Sequence, residues 1–189
     1  MAKKAISTIC MFCLMYLGQA HAESTAIGHL FEGKSPVKAH ISSVTNESGQ
    51  NQISVENFKK TLEDSLNNRK AMDFDVVNDP AVCDVELAAV IKKYQYLEKG
   101  PFKPSPGIAT MLADAAATAT SNYVEMEVLY TITDAKTGKI LWTDDVNEYI
   151  KKAMTPEESI PLIYDKVTRT FISQCFGQAH EEPVVKQPM

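Results

Sequence analysis

Apolar and polar residues alternate strictly along two long stretches of this chain. Cys83, Val85, Leu87, Ala89 and Ile91 share one face, and Asp84, Glu86 and Lys92 take the other. From Tyr123 to Thr133 the pattern repeats, with Val124, Met126, Val128, Tyr130 and Ile132 on one side and Glu125, Glu127 and Thr131 on the other. Period two with one polar face predicts antiparallel strands covered on one side only. Asp134-Ala135-Lys136-Thr137-Gly138-Lys139 is hairpin-turn chemistry, and Ile140 to Tyr149 returns with Ile140, Trp142 and Val146 pointing inward. Upstream, Val37, Ala39 and Ile41 predict a strand from Val37 to Val44, closed by the turn-forming run Thr45 to Asn51. Phe74 to Val77 predicts a short strand closed by Asn78-Asp79-Pro80.

Two segments switch to helical spacing. Val55, Phe58, Leu62 and Leu66 form one apolar stripe, with Ser54 as its cap and Ile53 and Phe58 as a hydrophobic staple. Thr155-Pro156-Glu157-Glu158 reads as a capping box with proline at the first helical position. The stripe Ile160, Ile163, Val167, Phe171 and Cys175 follows, and Gly177 stops it. Pro161 removes a backbone donor one turn in and predicts a kink or a restarted helix. The order of elements predicts an α+β fold. It has an antiparallel-dominated sheet, two helices on one face, and a long apolar insertion between the central strands.

The first 22 residues read differently. Lys3 and Lys4 precede an uncharged run from Ala5 to Leu17, and Ala20-His21-Ala22 supplies a small-residue cleavage site before Glu23. The run is too short for a bilayer span of ~20 residues and suits a secretory signal. Neither Cys10 nor Cys13 follows the small-residue pattern of a lipoprotein site, so the expectation is an exported, soluble, periplasmic chain. The organisation is then a signal peptide over 1–22, a lead-in over 23–36, one domain over 37–177 and a disordered tail over 178–189.

Without residues 1–22 the chain keeps 17 Lys+Arg against 24 Asp+Glu, a net charge of −7. No basic stripe exists to meet nucleic-acid phosphates, so no nucleic-acid partner is expected. Cys83 and Cys175 survive processing. In an oxidising compartment they suit a disulfide, and buried free thiols are the other reading.

Several of these segments together look like a group of bacterial envelope domains. The helix around 53–68, Phe74 to Val77, the strand beginning Cys83-Asp84-Val85 and the hairpin Asp134-Ala135-Lys136-Thr137-Gly138-Lys139-Ile140-Leu141-Trp142 resemble their shared core over residues 37–176. The group includes the N-terminal domain of the Tol system's periplasmic propeller protein, the curli-secretion pore lipoprotein and lipoprotein activators of penicillin-binding proteins. The lipopolysaccharide-assembly lipoprotein is broadly similar. The resemblance implies a non-enzymatic adaptor, assembly factor or export component. The chain departs from most of the group in having no lipobox.

Motifs for chemistry are absent from the sequence. His29, His40 and His180 lack metal-ligand spacing, and no nucleotide-binding glycine pattern or nucleophile elbow occurs, so no cofactor, metal or enzymatic activity is expected. Asp144 and Asp145, adjacent on a strand, point to opposite faces and cannot share a substrate. His40 reads as a partly exposed structural residue. Tyr94, Tyr96, Tyr123 and Phe102 could floor a groove, although such aromatics commonly just pack.

The stretch 97–122 is longer than neighbouring strands need. Its second part, from Ile108 to Thr120, carries a single charge, Asp114. Phe102, Ile108, Met111, Leu112 and Ala115 are its candidate partner surface. The alternative is a small helix packed on the sheet edge. Two functions compete: an envelope assembly or adaptor protein acting through protein contacts, and a periplasmic module binding a lipid or other apolar ligand. For the first, the partner is another envelope protein or a second copy of the chain, at the outer-membrane periphery in one version.

Cleavage after Ala22 is expected to leave Glu23 as the mature N-terminus, with no lipid attached. Intact mass of the exported protein checks this; retained residues 1–22 or a diacylglyceryl cysteine contradicts it.

Overall fold

The computed structural model describes residues 25–69, 72–98 and 122–177. The signal segment with its Ala22–Glu23 junction, the candidate surface residues Phe102, Ile108, Met111, Leu112 and Ala115, and the tail 178–189 lie outside them. The described elements, in chain order, begin with a 3-10 turn (Gly28–Phe31), β1 (Val37–Asn46), α1 (Val55–Asn67) and β2 (Phe74–Val76). A second 3-10 turn (Pro80–Val82), β3 (Val85–Leu97), β4 (Asn122–Asp134), β5 (Ile140–Lys152) and α2 (Pro156–Phe176) follow. The fold is α+β: a five-stranded sheet in the order β2-β1-β3-β4-β5, with both helices packed into one core.

Alternation does what the sequence requires of it. Val85, Leu87, Ala89 and Ile91 of β3, the five inward residues of β4, and Trp142 and Val146 of β5 are all buried. Asp134 closes the hairpin by accepting from the backbone N–H of Lys136 and Thr137 and from the Thr137 hydroxyl, and Gly138 takes the positive φ the turn needs.

The sheet is mixed. β3, β4 and β5 are antiparallel, but β1 lies between β2 and β3 and is parallel to both. Val76 of β2 and Val85 of β3 both sit opposite Ala39, so residues 77–84 carry the chain from one side of β1 to the other. Four contacts hold this crossing. The Val77 N–H donates to Ala39 O, His40 Nδ1–H donates to Val77 O at 3.0 Å, and the Asp84 carboxylate accepts from Lys38 N–H at 3.0 Å and Lys34 Nζ at 2.6 Å. Burial opposes ionisation of Asp84, but the Lys34 ammonium and the Lys38 N–H outweigh it and hold its carboxyl below the usual range. The aspartate of the "Cys83-Asp84-Val85" motif is thus a backbone clamp.

The helices stay where their stripes predict. Ser54 caps α1 through the Asn57 N–H, and Phe58, Leu62 and Leu66 are buried. Thr155 and Glu158 form the reciprocal capping box of α2. α2 runs unbroken from Pro156 to Phe176 with Pro161 inside it, so the helix does not restart there. Pro161 lies on the exposed side, where water can satisfy the carbonyl its missing N–H leaves free.

Three further expectations need correction. Cys83 and Cys175 do not form the expected disulfide; both are buried free thiols. Cys83 closes the second 3-10 turn, its sulfur 3.1 Å from Pro80 O, whereas Cys175 belongs to the main core cluster beneath α2. Ile140 is exposed rather than inward, because the β4–β5 register slips between Ile132 and Thr133 and sets it opposite Thr133, on the polar face of β4. The lead-in also contributes to the core, burying Ile27 and Phe31.

That last docking is tied to the end of α2. Ile27 N–H donates to Cys175 O at 2.7 Å, and Gly28 lies so close to Phe176 that a Cβ would meet its carbonyl oxygen at 2.3 Å. Arg69, after α1, reaches across to donate to Ile172 O and Gly177 O, with its guanidinium over the Phe176 ring. It gives Ile172 O, within the last turns of α2, a second donor and satisfies Gly177 O just past the helix end.

Replacing Arg69 by Met should therefore destabilise the domain by about 2 kcal/mol, the scale of hydrogen bonds made by a charged group. Lysine should rescue little of it, having no planar fork to span two acceptors. Urea denaturation of the three proteins checks this, and a full rescue by lysine would contradict the clasp.

Candidate functional site

β1 stops at Asn46 for a local reason. Its side-chain amide donates to Gln50 O at 3.0 Å and Ile53 O at 3.4 Å, while its Oδ1 accepts from the Ser48 N–H and hydroxyl. These bonds fold residues 46–53 into a loop that leaves the sheet and enters α1. The Glu47 N–H makes one last bond, to Ile91 O at 2.9 Å. β3 does not stop there. A register shift between Ile91 and Lys93 bends it, and it runs on to Leu97 paired, among the described residues, with β4 alone.

A cleft of ≈ 290 Å³ opens beside this extension, lined by Gln50 and Gln52 of the loop, Tyr94 to Leu97 of β3, and Pro156 at the start of α2. Its walls are pinned by tyrosine hydroxyls. The Ser159 hydroxyl donates to Pro156 O at 2.6 Å, so it accepts from the buried Tyr94 hydroxyl 3.0 Å away. Tyr96 donates to Met154 O at 2.6 Å, and the Asn122 amide reaches both Tyr96 Oη and Met154 O. Beneath them, the Tyr164 hydroxyl, pushed up to about 12 chiefly by burial, donates to Ser54 O. Burial likewise raises Tyr94 and Tyr96, assisted by Glu157 beside the first and by Glu98 beside the second.

The lining is therefore amide, phenol and aliphatic, with carboxylates only nearby. It offers hydrogen bonds and apolar contact but no nucleophile–base pair. The same end of the sheet carries the insertion, since Leu97 pairs with Tyr123 and residues 99–121 connect β3 to β4 there.

Of the residues singled out from sequence, Tyr94 and Tyr96 line the cleft, whereas Tyr123 stacks on Tyr149 with centroids 5.8 Å apart, away from it. His40 is half-buried and structural. Asp144 and Asp145 diverge: Asp144 accepts from the Asp145 N–H, and the Asp145 carboxylate pairs with Lys92 at 2.7 Å. No group of three or more His, Cys, Asp or Glu positioned to hold a metal occurs among the described residues. Nor is any helix among them long and apolar enough to cross a membrane. Gln50, Gln52 and Pro156 were not visible as site residues, because each reads as ordinary turn or cap chemistry until the strands are paired.

No family model matches the chain, and no curated protein matches it. Solved structures that overlap it include the PelC dodecamer from Paraburkholderia phytofirmans, 10% identical over 83% of this chain and 96% of that one, with a TM-score of 0.48. The hypothetical protein CT253 from Chlamydia trachomatis is 8% identical over 78% and 99%, with a TM-score of 0.48. Lipoprotein GNA1162 from Neisseria meningitidis is 11% identical over 73% and 99%, with a TM-score of 0.39. Likeness at this level carries no activity or partner over to this chain.

Burial of Tyr164 under the cleft contributes to the loss of stability at alkaline pH. A folded-state value raised to about 12 means that folding favours the neutral phenol of Tyr164. Its contribution is whole below the unfolded value of about 10 and is lost as pH rises from there toward about 12. Tyr164→Phe should cost about 1 kcal/mol at neutral pH, from the lost bond to Ser54 O. It should also flatten the decline between pH 10 and 12, as measured by denaturation across that range.

Proposed function

We propose that this chain is an exported, non-enzymatic component of a bacterial cell envelope, working through protein contacts at the insertion end of its sheet. One observation carries the reading. An uncharged cleft of amide and phenol groups opens at the same end of the sheet that carries the 99–121 connection, whose residues 104–120 hold a single charge. A surface of this kind binds by excluding water and pairing backbone-like groups. The leader-like first 22 residues support export, and the resemblance of the core segments to envelope domains supports the compartment. Phe102, Ile108, Met111, Leu112 and Ala115 form the partner surface in this reading.

Site-specific photocrosslinking in cells tests it. A photoreactive residue at Met111 should give discrete protein adducts, while one at Lys60, on the wet side of α1, should give none. With the photoreactive residue moved to Ile108, Met111→Asp with Leu112→Asp should abolish the adducts while leaving the melting temperature unchanged. A fall of ten degrees or more, on the order of a 2 kcal/mol core loss for this size, would place the segment in the core instead. Adducts to lipid in place of protein would favour an apolar-ligand module.

A further inference from the structure

The geometry points to a strand-addition slot: we propose that residues 92–97 of β3 accept an extended segment of another polypeptide, laid in the place that β1 vacates at Asn46. This rests on the reading of the insertion end as a protein-contact surface and names the mode of contact.

Throughout most of its length β3 is an inner strand, flanked by β1 and β4. Pairing with β1 ends at Asn46 opposite Ile91, and the closing bond is Glu47 N–H to Ile91 O. From Lys92 to Leu97 no strand lies on that side among the described residues, although pairing to β4 continues through Leu97. Alternate backbone N–H and C=O groups of this six-residue stretch must therefore face the cleft, because a strand turns half of them away from its single neighbour. The exposed edge is lined rather than bare. Gln50 and Gln52 line it from the loop and Pro156 from the start of α2, so an added strand would be flanked by side chains.

The loop that makes the vacancy is built to stay out of the sheet. Four hydrogen bonds from the Asn46 side chain hold residues 46–53 clear of the slot. That loop is thus held out of this position by its own hydrogen bonds.

Charge selects among occupants. The lining is neutral, but the negative fields of Glu157 and Glu98 reach the Tyr94 and Tyr96 hydroxyls. The segment that fits is uncharged and strand-forming along the slot, with Lys or Arg where it emerges beside Glu98 and Glu157. Backbone pairing supplies affinity in such additions, and alternate side chains supply selectivity.

A random octapeptide library displayed on phage, selected against the full mature chain, provides the probe. Selected peptides should protect amides within residues 94–97 from hydrogen exchange at least tenfold and should carry a basic residue at one end. Gln52→Trp, which fills the slot from its exposed loop, should weaken them at least tenfold, whereas Gln52→Asn should not. Glu98→Gln should weaken them severalfold and reduce the salt dependence. Binding without protection at 94–97, or a library that yields no binder, overturns the proposal. So does binding that emerges only after deletion of residues 178–189, which would make the chain's own tail the occupant. Concentration-dependent dimerisation abolished by Gln52→Trp would assign the slot to a second copy and overturn it as well. Because Met111 is not part of this edge, adducts from Met111 combined with failure here would sink the slot while leaving the contact reading intact.

Discussion

The ring of Phe171 lies against Tyr130 with centroids 4.0 Å apart, and the placement of α2 on the sheet depends on that stack. Trp142 of β5 and Phe176 pack around the same ring, so one side chain joins β4, β5 and the end of α2. With α2 lodged over β4 and β5, α1 is left to cover β1 and β2, and Phe58 meets Tyr164 edge-on between the helices. The stack is not free of cost. The fully buried Tyr130 hydroxyl is directed at the Thr168 hydroxyl without making a full hydrogen bond, and burial pushes its pKa up strongly. Two partly satisfied hydroxyls in a core are tolerated only because the surrounding aromatic area is large.

Much of this was legible in the sequence, because local rules agreed with the tertiary ones. Every inward residue expected of β4 is buried, and both helix caps form as their residues require. Period-two alternation and reciprocal capping are short-range signals, and nothing distant overrode them. The errors share a different character. Ile140 alternates correctly but lies past a register slip, which local spacing cannot reveal. Ile27 and Phe31 show no period because a 3-10 turn buries only its two ends, against a helix that begins more than a hundred residues later. The cysteine pair failed on position: one sulfur closes a surface turn and the other sits under α2.

The parallel placement of β1 was the larger omission, and it determines where the site is. A hairpin order would have put β2 against β3; instead residues 77–84 pass over β1, held by His40 and Asp84. β1 then becomes the inner neighbour of β3 and, being shorter, leaves the last part of β3 with one partner among the described residues. Gln50 and Gln52 become cleft residues through that pairing alone. Each looks like turn composition, and no local pattern marks a turn residue that faces a strand edge.

Desolvation explains why this end, rather than the broad polar face of the sheet, suits a partner. On that face Lys92 is paired with Asp145 at 2.7 Å, and Lys93 with Glu125 at 2.8 Å, which also accepts from the Asn147 amide. Pairs of this kind contribute about 0–1 kcal/mol each while solvated, and covering them strips water from two charges at once. A partner there would have to replace that hydration with equally good bonds. The slot beside β3 asks less. Its side chains are neutral, its tyrosine hydroxyls already have partners within the fold, and the groups left for an incoming chain are backbone amides and carbonyls. A second polypeptide carries the complementary set in the right spacing, so water can leave without an unpaired charge remaining behind.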